Sequence, residues 1–344
     1  MTHHSGAKVP IVAAPMAGGP TTPELCAAVA DAGGAGVIAG ADRSGEEIAK
    51  DLAETRNLTR GPIGVNLFVP EQVADLLSAQ REFSQYRSYL MKSYSELPVP
   101  WPTFEECAHS WSNRDQLEAL VAAPPDFVSF TFGYPDEEAQ KVAESMGLPV
   151  WVTCANREMI DEALRRGLGA LIVQGAEAGG HRSVASMMDD PCNETTAELV
   201  EYAAAAGARR LTAAGGIRSG RDIATMLRHG AEQVQVGTMF LATDESGLSD
   251  EGKDLVTKGG GVALTRSFSG RPASGLTSLV SDEAVPPKLY PHINKLTAPL
   301  RAWASANREV ECQSIWAGDP CRNVARGSAA EIVQRLTREL EEAE

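Results

Sequence analysis

The sequence predicts a (β/α)8 TIM barrel with an insertion after its third strand and a C-terminal extension that caps the barrel mouth. Eight short apolar segments alternate with helix-forming segments, and successive units begin about 20 to 25 residues apart. Such alternation is typical of a parallel sheet covered by helices. A doubly wound sheet is the alternative. It would place G-x-G-x-x-G after the first strand, whereas the chain reads Ala-Pro-Met-Ala-Gly-Gly-Pro there.

The predicted strands are short runs rich in β-branched and other apolar residues. They are Ile11–Ala14, Gly36–Ile38, Ile63–Leu67, Phe127–Phe130, Val150–Thr153, Ala170–Val173, Leu211–Ala213 and Gln233–Val236. The spacing breaks once, after the third strand, where a long segment includes the proline-rich stretch Leu97–Pro102. We therefore expect an insertion at about residues 69–126.

Capping residues mark the starts of the helices between these strands. Thr22 precedes Pro23, a favoured first helical residue, and Asn156 precedes an apolar face. Ser219 and Asp222 have the spacing of a capping box. The repeat is not continued after about residue 242, although a last amphipathic helix follows Ser328. This organisation predicts a barrel at 1–242 and an extension at 243–344.

Composition excludes several classes of function. A chain of 344 residues can bury a core without disulfides or metals. Its formal net charge of −15 argues against nucleic acid and anionic membranes as partners. Six cysteines without a C-x-x-C pair favour reduced thiols in a cytoplasm over a zinc site. No apolar run is long enough to span a membrane, and the N-terminus does not read as a signal peptide. We expect a cytoplasmic protein with a small-molecule substrate and no metal; a homo-oligomer is compatible with this composition.

The segment Ala170–Arg182 is the most informative in the chain. A buried strand opens there into a loop that contains Gly175, Gly179 and Gly180 and reaches His181. Imidazole titrates near neutral pH, so His181 on a mobile loop is a candidate catalytic base. The alternative is a surface histidine of an ordinary βα turn.

Other candidate site residues follow the remaining strands, where TIM-barrel active sites lie. The glycine-rich loops after the seventh and eighth strands are the usual phosphate site, because amides at a short helix start point at the anion. Side-chain amides at strand ends suit the carbonyls and ring nitrogens of a flat heterocycle. Together they indicate a phosphorylated planar cofactor, for which FMN is the natural candidate. The loop residues are Gly215, Gly216, Gly237 and Thr238, and the amides are Asn66, Gln174 and Gln235.

Several segments resemble the nitronate monooxygenase family. In the barrel these are Ala14–Ala17, Gly64–Phe68, Ser129–Gly133, Val173–Arg182, Ala214–Ile217 and Val234–Thr238. In the extension they are Phe268–Pro272, Tyr290–Arg301 and Ser314–Gly318. The resemblance spans nearly the whole chain in the expected order.

The resemblance implies an FMN enzyme that oxidises alkyl nitronates, and in some cases nitroalkanes, with O2 to a carbonyl compound and nitrite. It implies that His181 is the catalytic base and that Met16 lies near the flavin ring. With Gly180 and Gly215 from the loops above, the remaining predicted FMN-binding residues are Asn66, Gln174, Gly179, Gly216, Gln235, Val236, Gly237 and Thr238. Tyr290, Lys295 and Arg182 are weaker candidates on the substrate side.

Two other functions stay open. The Glu-Ala-Gly-Gly-His motif at Glu177–His181 is shared with flavin-dependent reductases of the same superfamily. An FMN-dependent NAD(P)H reductase acting on an enoyl thioester or quinone is therefore the main alternative. A barrel that binds ligand without turnover is a further one.

Overall fold

The barrel is formed by eight parallel strands. The computed structural model describes residues 3–279 and 285–343. In chain order the strands of the barrel are β1 (Ile11–Ala13), β2 (Gly36–Ala41), β3 (Ile63–Phe68), β4 (Phe127–Thr131), β5 (Val150–Cys154), β6 (Ala170–Gln174), β8 (Arg210–Ala214) and β9 (Gln233–Val236), while β7 (Gly180–His181) belongs to a second sheet. β1 pairs with β9, and Ala13 N donates to Ala35 O beside β2 at 2.8 Å, which brings the two ends of the sheet together. The predicted barrel is confirmed.

The helices follow the strands as expected for this fold. They are α1 (Pro23–Asp31), α2 (Gly45–Leu58), α3 (Leu76–Ser93), α4 (Phe104–Cys107), α5 (Asn113–Glu118), α6 (Glu137–Ser145), α7 (Arg157–Arg165), α8 (Thr196–Ala205), α9 (Gly220–Arg228), α10 (Asp250–Lys258), α11 (His292–Asn307) and α12 (Ala329–Glu341). The predicted caps are confirmed: Thr22, Asn156, Ser219 and Ser328 each accept a backbone N–H of the first turn.

Apolar side chains fill one end of the barrel interior. Phe127 of β4 and Trp151 of β5 stack with ring centroids 4.0 Å apart, beside Val12, Val37 and Ile172. Polar side chains, including those of Asn66 and Thr131, face the barrel interior nearer the C-terminal ends of the strands. A cavity remains near the C-terminal ends of the strands, where a ligand can enter.

The segment between β3 and β4 holds three helices. α3 and α4 pack against α11 through a cluster that includes Phe83, Leu90 and Ile293. α5 instead contacts α2 and α6 and takes the place of the barrel helix between β3 and β4. The part that departs from the repeat is therefore the stretch before α5.

The C-terminal residues contribute to both the barrel and its mouth. α12 packs between α9 and α1, so it takes a place in the ring of helices around the barrel. Its periodicity shows that one face is buried but does not identify the neighbour. Closer to the mouth, β10 (Ala263–Thr265) and β11 (Ala273–Gly275) form an antiparallel sheet with β7.

Within the described residues, no helix has the length and apolar character needed to cross a membrane. The same residues contain no group of three or more His, Cys, Asp or Glu side chains that could hold a metal ion.

Candidate active site

A cavity of about 1050 Å³, including its open mouth, lies at the C-terminal ends of the barrel strands. It brings together almost all the predicted site residues, which are far apart in the sequence. Those that line it are Met16, Asn66, Gln174, Gly179, Gly180, His181, Gly215, Gly216, Gln235, Gly237 and Thr238. Val236 does not: its side chain is buried in the apolar core outside the cavity, because alternate residues of a strand face opposite sides.

Asn66 and Gln235 present polar groups to the cavity. Asn66 Nδ2 donates to Ser129 Oγ at 2.9 Å and to Thr131 Oγ1 at 3.0 Å, which fixes the orientation of the amide. No described residue donates to Asn66 Oδ1, and the side chain of Gln235 makes no hydrogen bond within the described chain. Both amides therefore retain hydrogen-bonding capacity for a ligand.

Gln174 lines the cavity but has a second task. Its Nε2 donates to the carbonyl of His181 at 3.0 Å, and its Oε1 accepts from Ser183 N at 2.8 Å. The amide therefore holds the backbone on both sides of Arg182, and one Nε2 hydrogen remains for a ligand. We expect Gln174 to position His181 as well as contact a cofactor.

Glycines shape the part of the cavity formed by the loops after β6, β8 and β9. Gly215 has φ of +115°, and a Cβ there would lie 2.8 Å from Thr196 Oγ1. A Cβ on Gly179 would lie 2.5 Å from Gly318 N. Side chains at these positions would therefore push the loops apart. We call the loop residues 215–218 and 237–238 the glycine cradle.

Backbone amides of the glycine cradle are available to an anion. The N–H groups of Gly216, Ile217, Gly237 and Thr238 donate to no acceptor in the described chain. The amides at the start of α9 are already bonded: Asp222 Oδ2 accepts from Arg218 N at 2.9 Å and Ser219 N at 2.8 Å, and Gly220 N donates to Glu339 Oε2 at 2.9 Å. An anion in the cradle would therefore meet loop amides and not the first turn of α9.

His181 lies in β7 opposite Ala273 of β11, so strand pairing holds the residue that the sequence placed on a mobile loop. Its Nε2 is 2.8 Å from Ser269 Oγ. Ser269 Oγ donates to the carbonyl of Arg271 at 3.3 Å, so its oxygen can accept a hydrogen bond from the N–H at Nε2. This arrangement favours the tautomer whose Nδ1 carries a free lone pair.

Aromatic rings surround His181. Those of Phe68, Phe132, Tyr290 and Trp316 have centroids 5.5 to 6.1 Å from its own. Phe68 and Trp316 also line the cavity, so an alkyl group beside the imidazole would meet apolar surface.

Burial, and then the positive charges of Arg271 and Arg301, lower the pKa of His181 from its usual 6.5 to about 3. The imidazole is therefore neutral at pH 7 and able to accept a proton. A negative charge beside the ring would oppose both causes and raise this pKa. The site favours an anion next to His181.

Arg271 is a further residue beside His181 whose position the sequence alone does not reveal. Its guanidinium lies 4.0 Å from the ring centroid of Phe132, which has φ of +74° and faces His181. Nη1 donates to Val184 O at 3.0 Å and Nη2 to Glu71 Oε2 at 2.5 Å. Ser269 and Arg271 both belong to the family-like segment Phe268–Pro272, but only the fold brings that segment to His181.

The three weaker candidates have different surroundings. Arg182 is buried and donates to the carbonyls of Ala176 and Cys192, away from the cavity. Lys295 pairs with Asp42 at 3.4 Å and donates to the carbonyl of His109. Of the three, Tyr290 alone lies against His181.

Known proteins of one family match almost the entire chain. A family model described as nitronate monooxygenase matches residues 2–339. Nitronate monooxygenase of Pseudomonas aeruginosa is 32% identical over 342 residues, 97% of either chain. That of Paraburkholderia phytofirmans is 30% identical over 348 residues, 98% of this chain and 94% of the relative.

Solved structures share the fold of this chain. The structure of nitroalkane oxidase from Streptomyces ansochromogenes has a TM-score of 0.87 and 32% identity, covering 98% of this chain and 97% of the other. FabK from Thermotoga maritima has a TM-score of 0.68 at 22% identity, covering 98% and 94%, and this likeness shows the fold alone. The protein belongs to the nitronate monooxygenase family of flavin-dependent oxidoreductases.

Proposed function

We propose that this protein binds FMN in the cavity and oxidises alkyl nitronates with O2 to a carbonyl compound and nitrite. The observation that carries the proposal is the arrangement of one cavity. A neutral histidine in aromatic and cationic surroundings lies at one side, and a glycine cradle with free amides lies at another. The surroundings of the histidine suit an anionic organic substrate, and the glycine cradle suits a phosphorylated cofactor.

The residues present fit FMN. Asn66 Oδ1 and the amide of Gln235 have no partners in the described chain and face the cavity, so they can bond to ring carbonyls and nitrogens. The glycine cradle offers the N–H groups of Gly216, Ile217, Gly237 and Thr238 to the phosphate. Bound FMN would supply the electron acceptor that the polypeptide itself does not provide.

His181 would act on the proton of a neutral nitroalkane. With Nε2–H donated to Ser269, Nδ1 can accept the α-proton and leave a nitronate. The negative charge of the new nitronate would lie beside the resulting imidazolium and stabilise it. A substrate supplied as the nitronate has already lost this proton and does not need the base.

The surrounding side chains would orient the substrate and exclude water. Phe68 and Trp316 offer apolar contacts to the alkyl group. Arg271 and Arg301 lie close enough to lower the pKa of His181, and the same positive field favours a nitronate. Neither guanidinium needs to touch the substrate for this effect.

Cofactor and product analysis tests the proposal. We expect the purified protein to be yellow, to release FMN and not FAD on heating, and to form nitrite from an alkyl nitronate in air. Removing the flavin should stop nitrite formation, and adding FMN should restore it. A protein that stays colourless after incubation with FMN would contradict the cofactor assignment. Flavin binding without nitrite formation would contradict the reaction.

A further inference from the structure

Arg218 is a buried cation without a counter-ion. It is 7% exposed and lines the cavity. Its Nη2 donates to the carbonyl of Gly318 at 2.8 Å, whereas its Nε is buried without a hydrogen-bond partner. No carboxylate of the described chain lies within 4.0 Å of the guanidinium nitrogens. A buried guanidinium in this condition is unfavourable until an anion joins it.

Three carboxylates near Arg218 form no ion pair with it: Asp222 and Glu177 bond to other groups, and Asp319 is exposed and contributes only a longer-range attraction. Asp222 caps α9 by accepting from the backbone amides of Arg218 and Ser219 and from Ser219 Oγ. Glu177 also lines the cavity, but its Oε2 accepts from Thr196 N and Thr196 Oγ1, both at 3.0 Å. No described carboxylate pairs with the guanidinium directly, so an anionic ligand in the cavity would supply its counter-charge.

The position of Arg218 identifies the kind of anion. Arg218 follows Gly216 and Ile217 in the glycine cradle, whose amides are free. Gly318 accepts from Arg218 Nη2 and donates through its N–H to Thr238 Oγ1 at 2.9 Å, so the guanidinium lies beside both loops of the cradle. Other buried arginines are placed differently: Arg182 bonds to carbonyls away from the cavity, and Arg271 pairs with Glu71. A guanidinium next to several N–H groups matches a phosphate, which accepts on several oxygens at once.

We propose that Arg218 is the charge partner of the phosphate of bound FMN, and that this chain thereby selects FMN over the unphosphorylated flavin. The inference rests on the proposed function, since it assumes flavin in the cavity. The amides of the glycine cradle orient the phosphate, and Arg218 balances its negative charge.

Flavin titrations test the role of Arg218. Protein stripped of flavin is titrated with FMN and, separately, with riboflavin, and the quenching of flavin fluorescence gives both Kd values. Arg218→Met keeps a flexible, unbranched stem but removes the guanidinium and its charge. Arg218→Lys keeps the charge without the planar fork. Arg221→Met is the matched control, because Arg221 is exposed three residues along the same segment. Thermal unfolding of each stripped variant checks that the fold is retained.

We expect Arg218→Met to weaken FMN binding roughly 10- to 100-fold, as for loss of a hydrogen bond to a charged group. Riboflavin binding should change by less than about threefold, because riboflavin has no phosphate. Arg218→Lys should lie between wild type and Arg218→Met, and Arg221→Met should match wild type.

Other outcomes would overturn the inference. Equal weakening of FMN and riboflavin would make Arg218 a packing residue, and unchanged FMN affinity would remove it from the site. If both Arg218 variants fail to fold, its role is structural. A wild-type protein that binds neither flavin would instead refute the proposed function, and this inference with it.

Discussion

Turnover of a neutral nitroalkane should fall by roughly 10² to 10⁴ when His181 is replaced by asparagine, the usual contribution of general-base catalysis. This corresponds to about 3 to 5 kcal/mol of activation free energy. Asparagine is polar and of similar size but cannot take up a proton near neutral pH. The change therefore separates proton transfer at Nδ1 from packing among Phe68, Phe132 and Trp316. Initial rates of nitrite formation provide the measurement.

The matching preformed nitronate is the control for this variant. Its turnover should fall far less, because the proton has already been removed, and it must be assayed before it reprotonates in the buffer. Flavin content should remain near that of wild type, since the glycine cradle and not the imidazole is assigned to FMN. Equal losses on both substrates would show that His181 orients the substrate. No loss on either would exclude it from the mechanism.

The pH dependence gives a second readout for His181. Its pKa is lowered to about 3, so the neutral, base-competent imidazole persists as the pH falls through the ordinary value of 6.5. Wild-type turnover of the nitroalkane should therefore show no loss from protonation of His181 between pH 7 and 5. A fall with an apparent pKa near 6.5, absent with His181→Asn, would mean that this histidine is solvated.

Replacing Glu71 with alanine should lower the free energy of unfolding by about 3 kcal/mol, the lower end of the cost of breaking a buried ion pair. The Arg271 side chain is 1% exposed and that of Glu71 26%, so the change leaves a buried cation without its carboxylate. Glu71 also accepts from Ser186 Oγ at 2.8 Å and Met187 N at 2.7 Å. Urea denaturation of the flavin-free protein measures the loss.

An exposed acidic residue provides the comparison for Glu71. Glu96 is exposed in the same insertion, so Glu96→Ala should stay within about 0.5 kcal/mol of wild type. A loss below about 1 kcal/mol for Glu71→Ala would contradict a buried pair and assign the Arg271–Glu71 contact the weak energy of a surface ion pair. The predicted result would show that this pair secures the loop after β7.

Local patterns in the sequence predicted much of the barrel. β9 has its predicted bounds at Gln233–Val236, and the capping box of Ser219 and Asp222 is present. These features depend on neighbouring residues, so the sequence contains the information directly. The place of α12 depends on which helices it meets, and a hydrophobic face alone does not specify that.

The candidate site shows the same division. The residues that follow the strands were predictable because barrel topology places all strand ends together. Arg182 follows His181 directly in the sequence but does not share its surroundings. Successive side chains in extended backbone point to opposite sides, so Arg182 faces away from the cavity that His181 lines. Ser269 reaches His181 from 88 positions along the chain, through the pairing of β7 with β11. A cytoplasmic location, a homo-oligomer and the domain boundaries stay predictions of the sequence.

Anaerobic mixing of the FMN-loaded protein with candidate electron donors tests most directly the claim that the protein oxidises nitronates. An alkyl nitronate, NADH and NADPH are added separately, and the visible absorbance of the flavin is followed. If the cavity serves nitronate oxidation, the nitronate bleaches the flavin, each nicotinamide does so slowly or not at all, and admitted O2 restores the colour. Rapid bleaching by NADH or NADPH, with no change on adding the nitronate, would contradict the proposal and identify a reductase.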